Sequence, residues 1–115
     1  MKEIPIQAMH QFQIGHAHDL EKGTGCTVIL AKDGAVAGVD VRGGGPATRE
    51  TDLLNPKNTV QQIHAVTLSG GSAFGLEASS GVMQYLSERK TGLGLKGIYI
   101  TIVCQTSLFY CGLGD

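Results

Sequence analysis

The chain has 115 residues, enough for one modest core, so it reads as a single domain spanning residues 1–115. Nine basic and ten acidic residues leave a net charge of -1, which points away from nucleic acid and from an anionic membrane surface. Seventeen glycines, about twice the usual share, with no tryptophan, predict many tight turns and close backbone contacts.

The first residues carry no apolar signal core, so secretion is not indicated. The longest strongly apolar run, residues 98–103, is too short to span a bilayer. The three cysteines, Cys26, Cys104 and Cys111, form no CxxC pair and read as reduced thiols of a cytoplasmic protein.

In chain order, the histidines come first. His16 and His18 would share one face of a strand and could begin a metal site, but no third ligand stands at a convincing distance. His10 and His64 read as isolated surface or partly buried residues. Residues 26–31 are apolar and β-branched, predicting a buried strand. Asp33-Gly34 then predicts a tight hairpin turn, with residues 35–41 returning as the second strand. The segment GVDVRGGGPATRETDLLNP, residues 38–56, follows with its triple glycine and polar cluster. Arg49, Glu50 and Asp52 could clamp a substrate, or could simply be solvated or paired with each other.

A third strand is expected over residues 64–68, then a helix over residues 72–88 with Ser72 as N-cap. Phe74, Ala78, Val82, Tyr85 and Leu86 recur at helical spacing and predict its buried stripe. Gly92 and Gly94 end that helix, and residues 98–103 predict a fourth strand. The Gly70-Gly71-Ser72 turn would present backbone N–H groups suited to a carboxylate or an oxyanion, or would be a plain tight turn. No lysine follows the glycines as in a phosphate-binding loop, and Phe74 stands where a nucleophile elbow needs glycine. Strands and a long helix in this order predict an α/β layered domain without repeats.

Ile14-Gly15-His16-Ala17, residues 24–29 (TGCTVI), residues 38–56 and residues 64–86 with their GGSAFGL core resemble the L-aminopeptidase/D-esterase family of DmpA type. The resemblance covers residues 4–115. It implies an α+β chain forming part of a four-layer α-β-β-α sandwich, as in DmpA and the ornithine acetyltransferase-like proteins. It further implies a self-processing serine aminopeptidase that frees amino-terminal residues from peptides, amides or esters. In that family the precursor cuts itself into α and β chains, and the serine at the start of the β chain is the nucleophile. Neither a metal nor an organic cofactor is implied, and assembly is as homo-oligomers of αβ units.

By that resemblance the chain corresponds to the N-terminal part of an α chain, an incomplete domain without the nucleophile. Ser69, Ser72, Ser79 and Ser80 do not match it. The glycine loop and the residues Gly70, Gly71, Ser72, Phe74 and Arg49 are then expected beside the substrate. The missing β chain is the implied partner. The stretch near the end departs from the family pattern: residues 100–104 read ITIVC where the family has V-P-I-V-P, and residues 109–111 read FYC where it has F-D-L. Such departures leave open a second reading, a non-catalytic fragment acting only as a binding module or a decayed gene product.

Overall fold

A computed structural model describes residues 1–107. Five strands form the main sheet in the order β1-β2-β4-β7-β3. They are β1 (Gln13–Asp19), β2 (Thr24–Ala35), β3 (Thr48–Arg49), β4 (Ile63–Ser69) and β7 (Val103–Ser107), with β5 (Leu93–Leu95) and β6 (Ile98–Ile100) forming a separate two-stranded hairpin. All neighbours in the main sheet are antiparallel except β4 and β7, which run parallel. The crossover from β4 to β7 carries the one α-helix among the described residues, α1 (Ala78–Glu88). That is the usual requirement of a parallel pair.

Side-chain alternation and register divide the sheet into two faces. Val28, Leu30, Ala65 and Val103 fall on one face, where Leu86 of α1 packs onto them with Val82 and Met83. Ala65, Leu86 and Val103 are each 1% exposed and form the centre of this small core. Ile14, Ile29, Val66 and Leu68 point to the opposite face, where Ile14 and Leu68 remain 47% and 43% exposed. The result is a mixed α+β layer pair, sheet and helix, consistent with a piece of an α/β sandwich.

Several local expectations are corrected. Asp33-Gly34 does not turn the chain: both residues lie inside β2, where the pairing with β4 slips between Leu30 and Ala35. Gly34 takes φ +84°, so its freedom serves an irregularity in a long strand rather than a reversal. The hairpin is instead made by β1 and β2 around residues 20–23, and residues 36–42 form no strand.

The helix expected over 72–88 begins as a 3-10 segment, Ser72–Glu77, and becomes α-helical only at Ala78. Its N-cap is Gly71 at φ +97°, not Ser72, which itself takes φ +57°. Three residues per turn break the 3.6-residue stripe. Phe74 is consequently 93% exposed, and Tyr85 is 42% exposed with the Arg89 guanidinium 3.5 Å above its ring. Leu86 and Val82 keep their expected places.

The helix ends at Glu88, ahead of Gly92 and Gly94, and Gly94 lies within β5. The fourth strand is two strands. Between β6 and β7 the chain leaves one ladder for the other, and His64 holds it there. The His64 N–H donates to the Ile102 carbonyl at 2.8 Å, and Ile102 N–H donates to His64 Nδ1 at 3.2 Å.

Candidate functional site

The strand-to-helix turn after β4 is built from three hydrogen-bonded supports. Gly70 N–H donates to the Gly25 carbonyl at 2.8 Å, tying the turn to β2, and Gly75 N–H donates to the Gly71 carbonyl at 3.2 Å. A Cβ on Gly70 would meet Thr24 Oγ1 at 3.3 Å, so the turn lies close against the start of β2. From below, Ser69 Oγ donates to the Gly75 carbonyl at 2.9 Å.

Beneath these three lies Gln105 of β7, 1% exposed. Its Nε2 donates to Ser69 Oγ at 2.7 Å and to the Gly75 carbonyl, and its Oε1 accepts from Ser79 N–H at 3.2 Å. One amide thus joins the end of β4, the 3-10 segment and the first turn of α1. Ser79, fully buried, adds a hydrogen bond from its hydroxyl to the Leu76 carbonyl at 3.1 Å. The N–H groups of Gly70 and Ser79 are therefore engaged within the protein, which narrows the expected anion-binding turn to fewer donors.

Above this scaffold a cleft of about 340 Å³ opens between the turn and the β1–β2 hairpin, lined by His18, Thr24, Gly25, Gly70, Phe74 and neighbours. Phe74 stands beside it as an exposed wall rather than in the core. Gly71 shapes the turn by its left-handed φ, and a Cβ there would meet Gly75 Cα at an ordinary 3.5 Å.

Arg49 comes from the other side of the same segment. Its guanidinium donates to Ser80 Oγ at 2.9 Å and to the Leu76 carbonyl at 3.4 Å, linking β3 to the helix start. The structure thus brings Gly70 and Phe74 into one cleft and sets Gly71, Ser72 and Arg49 outside its lining. Asp52 instead accepts main-chain and Asn58 side-chain hydrogen bonds at its carbonyl, in a short 3-10 turn.

The loop with the triple glycine borders a second cavity, about 260 Å³, on the sheet face away from α1. Val39, Val41, Thr48, Val66, Cys104 and Thr106 are among its walls. A Cβ added to Gly43 or Gly44 would meet nothing within 4 Å, so these two glycines are not there for close packing. Gly43 supplies a positive φ of +87°, which is its requirement. Ala47 and Glu50 nearby also take positive φ, at 43° and 61°. Such backbone costs energy in a non-glycine residue and gathers where a loop is shaped for a purpose.

Cys104 donates its thiol to the Glu50 carbonyl at 3.4 Å. Burial, reinforced by the Glu50 charge, pushes its pKa up to about 11, so it stays an unreactive thiol at neutral pH. Burial also pushes the Cys26 thiol up. Cys111 lies outside the described residues. No helix among the described residues is long and apolar enough to cross a membrane.

Sequence reasoning missed Gln105. The available signal was alternation: in β7 Gln105 is two residues from Val103, hence on the same buried face, where a long polar side chain needs partners.

The glycine-rich strand-to-helix turn over the mixed sheet, with a cleft beside it, holds the GGSAFGL motif of residues 70–76. The sequence model of peptidase family S58 matches residues 6–109, and the chain belongs to that family. An uncharacterised aminopeptidase of Mycobacterium leprae is 44% identical over 111 residues, covering 90% of this chain and 31% of the relative. One from Mycobacterium tuberculosis is 46% identical over 90 residues, 78% of this chain and 26% of the relative. A 6-aminohexanoate-oligomer endohydrolase of Paenarthrobacter ureafaciens is 42% identical over 76 residues, 66% of this chain and 19% of the relative. The chain therefore spans less than a third of the length of these relatives.

Proposed function

We propose that this chain is the N-terminal region of a serine aminopeptidase that hydrolyses peptides, aminoacyl amides or esters. The observation that carries the reading is the family match over residues 6–109, which includes the whole turn and cleft. The nucleophile is a serine exposed at a self-cleaved chain start outside these 115 residues, and the activity belongs to the joined polypeptides, assembled as a homo-oligomer. Gly70 and Gly71 let the backbone approach the substrate, Phe74 supplies an apolar wall for its side chain, and Arg49 holds the turn's far side in place. Among the relatives' names, the endohydrolase and the aminopeptidases share an amide bond as target, which supports an amide substrate here.

The purified chain alone is expected to turn over no aminoacyl p-nitroanilide or ester, because an acyl-enzyme needs the nucleophile. Joined to the remaining length of the Mycobacterium leprae relative, it is expected to hydrolyse them. Turnover by the 115-residue chain that survives stringent repurification would overturn the assignment of the nucleophile, and Ser72→Ala would then be the next variant. A folded, self-cleaved chimera without turnover would favour the non-catalytic binding module. That second reading draws on Phe74, Leu95 and Ile98, which are 93%, 57% and 67% exposed and suit a docking role.

A further inference from the structure

The β1 edge of the sheet carries a pair of imidazoles to which the proposed hydrolysis assigns no step, although His18 also lines the cleft beside Gly70. His16 and His18 are two residues apart on β1, so both project from the face opposite α1, and both are exposed. Their ring centroids are 5.3 Å apart with the planes tilted by 39°, so the rings are neighbours without parallel stacking. Metal–nitrogen bonds of about 2.0–2.1 Å at a tetrahedral angle set two imidazole centroids about 5 Å apart, so the pair already has the spacing of a chelate. His16 Nδ1 is 2.6 Å from Thr27 Oγ1, its direct partner across the β1–β2 ladder. With Nδ1–H donating to that hydroxyl, the Nε2 lone pair is free, the arrangement found behind metal-bound histidines. Across from His18 stands Gly25, where an added Cβ would meet His18 Cβ at 3.1 Å, so the bare glycine lets His18 lie close against β2.

We infer that His16 and His18 chelate one borderline divalent cation, Zn²⁺ or Ni²⁺, through two imidazole nitrogens, with water completing the coordination. Among the described residues no third histidine, cysteine or carboxylate joins the pair, which leaves the remaining positions open to solvent or to a small ligand. Asp19, the nearest carboxylate in sequence, accepts from the Glu21 and Lys22 N–H groups in the hairpin turn. Thr27 acts as a positioning residue, orienting the His16 ring.

The test is calorimetric titration of the 115-residue chain with Zn²⁺ and with Ni²⁺ in a non-chelating buffer. The parent is compared with His16→Ala, His18→Ala, the double variant, Thr27→Val and His10→Ala. The difference between parent and double variant isolates the pair from any thiol that also binds. One metal per chain is expected at the pair, with each single alanine weakening it at least tenfold. Thr27→Val is expected to weaken it about tenfold, and His10→Ala to leave it unchanged. Imidazole ¹⁵N spectra should show Zn²⁺ moving the Nε2 resonance of His16, a readout that a merely structural histidine would not give. Equal affinity in the parent and the double variant, or an unmoved His16 Nε2 resonance at saturation, would overturn the proposal.

Discussion

His64 is the residue through which acidity should reach the fold. It is 3% exposed, and its Nδ1 accepts the Ile102 N–H at the crossing between β6 and β7. Burial pushes its pKa below the ordinary 6.5, so the folded chain keeps it neutral where the unfolded chain takes up a proton. Its contribution to stability is complete above pH 6.5 and is lost as pH falls through the folded-state value. Urea unfolding midpoints should therefore decline on acidification from pH 6.5, and His64→Gln should flatten that part of the profile. Gln105 carries a larger local load. Gln105→Ala would leave Ser79 N–H without its acceptor and remove both donors to Ser69 and Gly75. A loss of about 3 kcal/mol is expected from denaturant titration, in line with stranding buried polar groups. By contrast, the Arg42–Asp40 pair, at 2.9 Å but with both side chains largely exposed, should contribute next to nothing.

The strand-to-helix turn is the element on which a functional test turns. Gly71 at φ +97° occupies backbone that a β-branched residue resists, while the space around its missing Cβ is ordinary. Gly71→Val in a full-length relative bearing GGSAFG should lower kcat/KM by more than its effect on Tm explains. The backbone strain should account for about 1–3 kcal/mol of stability. Unchanged kcat/KM, or a loss that tracks unfolding, would make the turn purely structural. Elements with strong periodicity were readable from the residues: β4, the first half of β2 and the body of α1 stand where apolar spacing put them. Asp33-Gly34 misled because a positive φ serves a slipped register as readily as a reversal, and only the partner strand decides between them. Phe74 misled because local 3-10 winding changes the angular step, which apolar spacing alone does not reveal. The cleft beside Gly70 was legible as a motif, whereas Gln105 beneath it depends on a contact 30 residues away in the chain.

At the scale of the whole molecule, many large apolar side chains among the described residues stay uncovered. Three hydrophobic residues that are almost fully buried centre the core under α1, while Ile14, Leu68, Leu93, Leu95, Ile98, Tyr99 and Ile100 are all more than a third exposed. The outer edge of β1 also has no neighbouring strand among the described residues. Surfaces of this kind associate. Sedimentation velocity of the purified chain should show concentration-dependent self-association, and thermal unfolding should be broad and low. A monodisperse monomer with a sharp cooperative melt would contradict this expectation.

The place of β7 has a consequence for the order of events as the chain emerges from the ribosome. It is the last strand in sequence among the described residues, yet it lies inside the sheet, between β4 and β3. β3, synthesised more than fifty residues earlier, pairs with β7 alone, and Gln105 completes the turn between β4 and α1. A nascent chain halted before β7 can close the β1–β2–β4 meander but can neither seat β3 nor lock the helix start. Such late closure of a distant pairing slows folding and prolongs the exposure of open strands. The chain should therefore collapse early, acquire its final topology late, and depend on holdase chaperones during the interval.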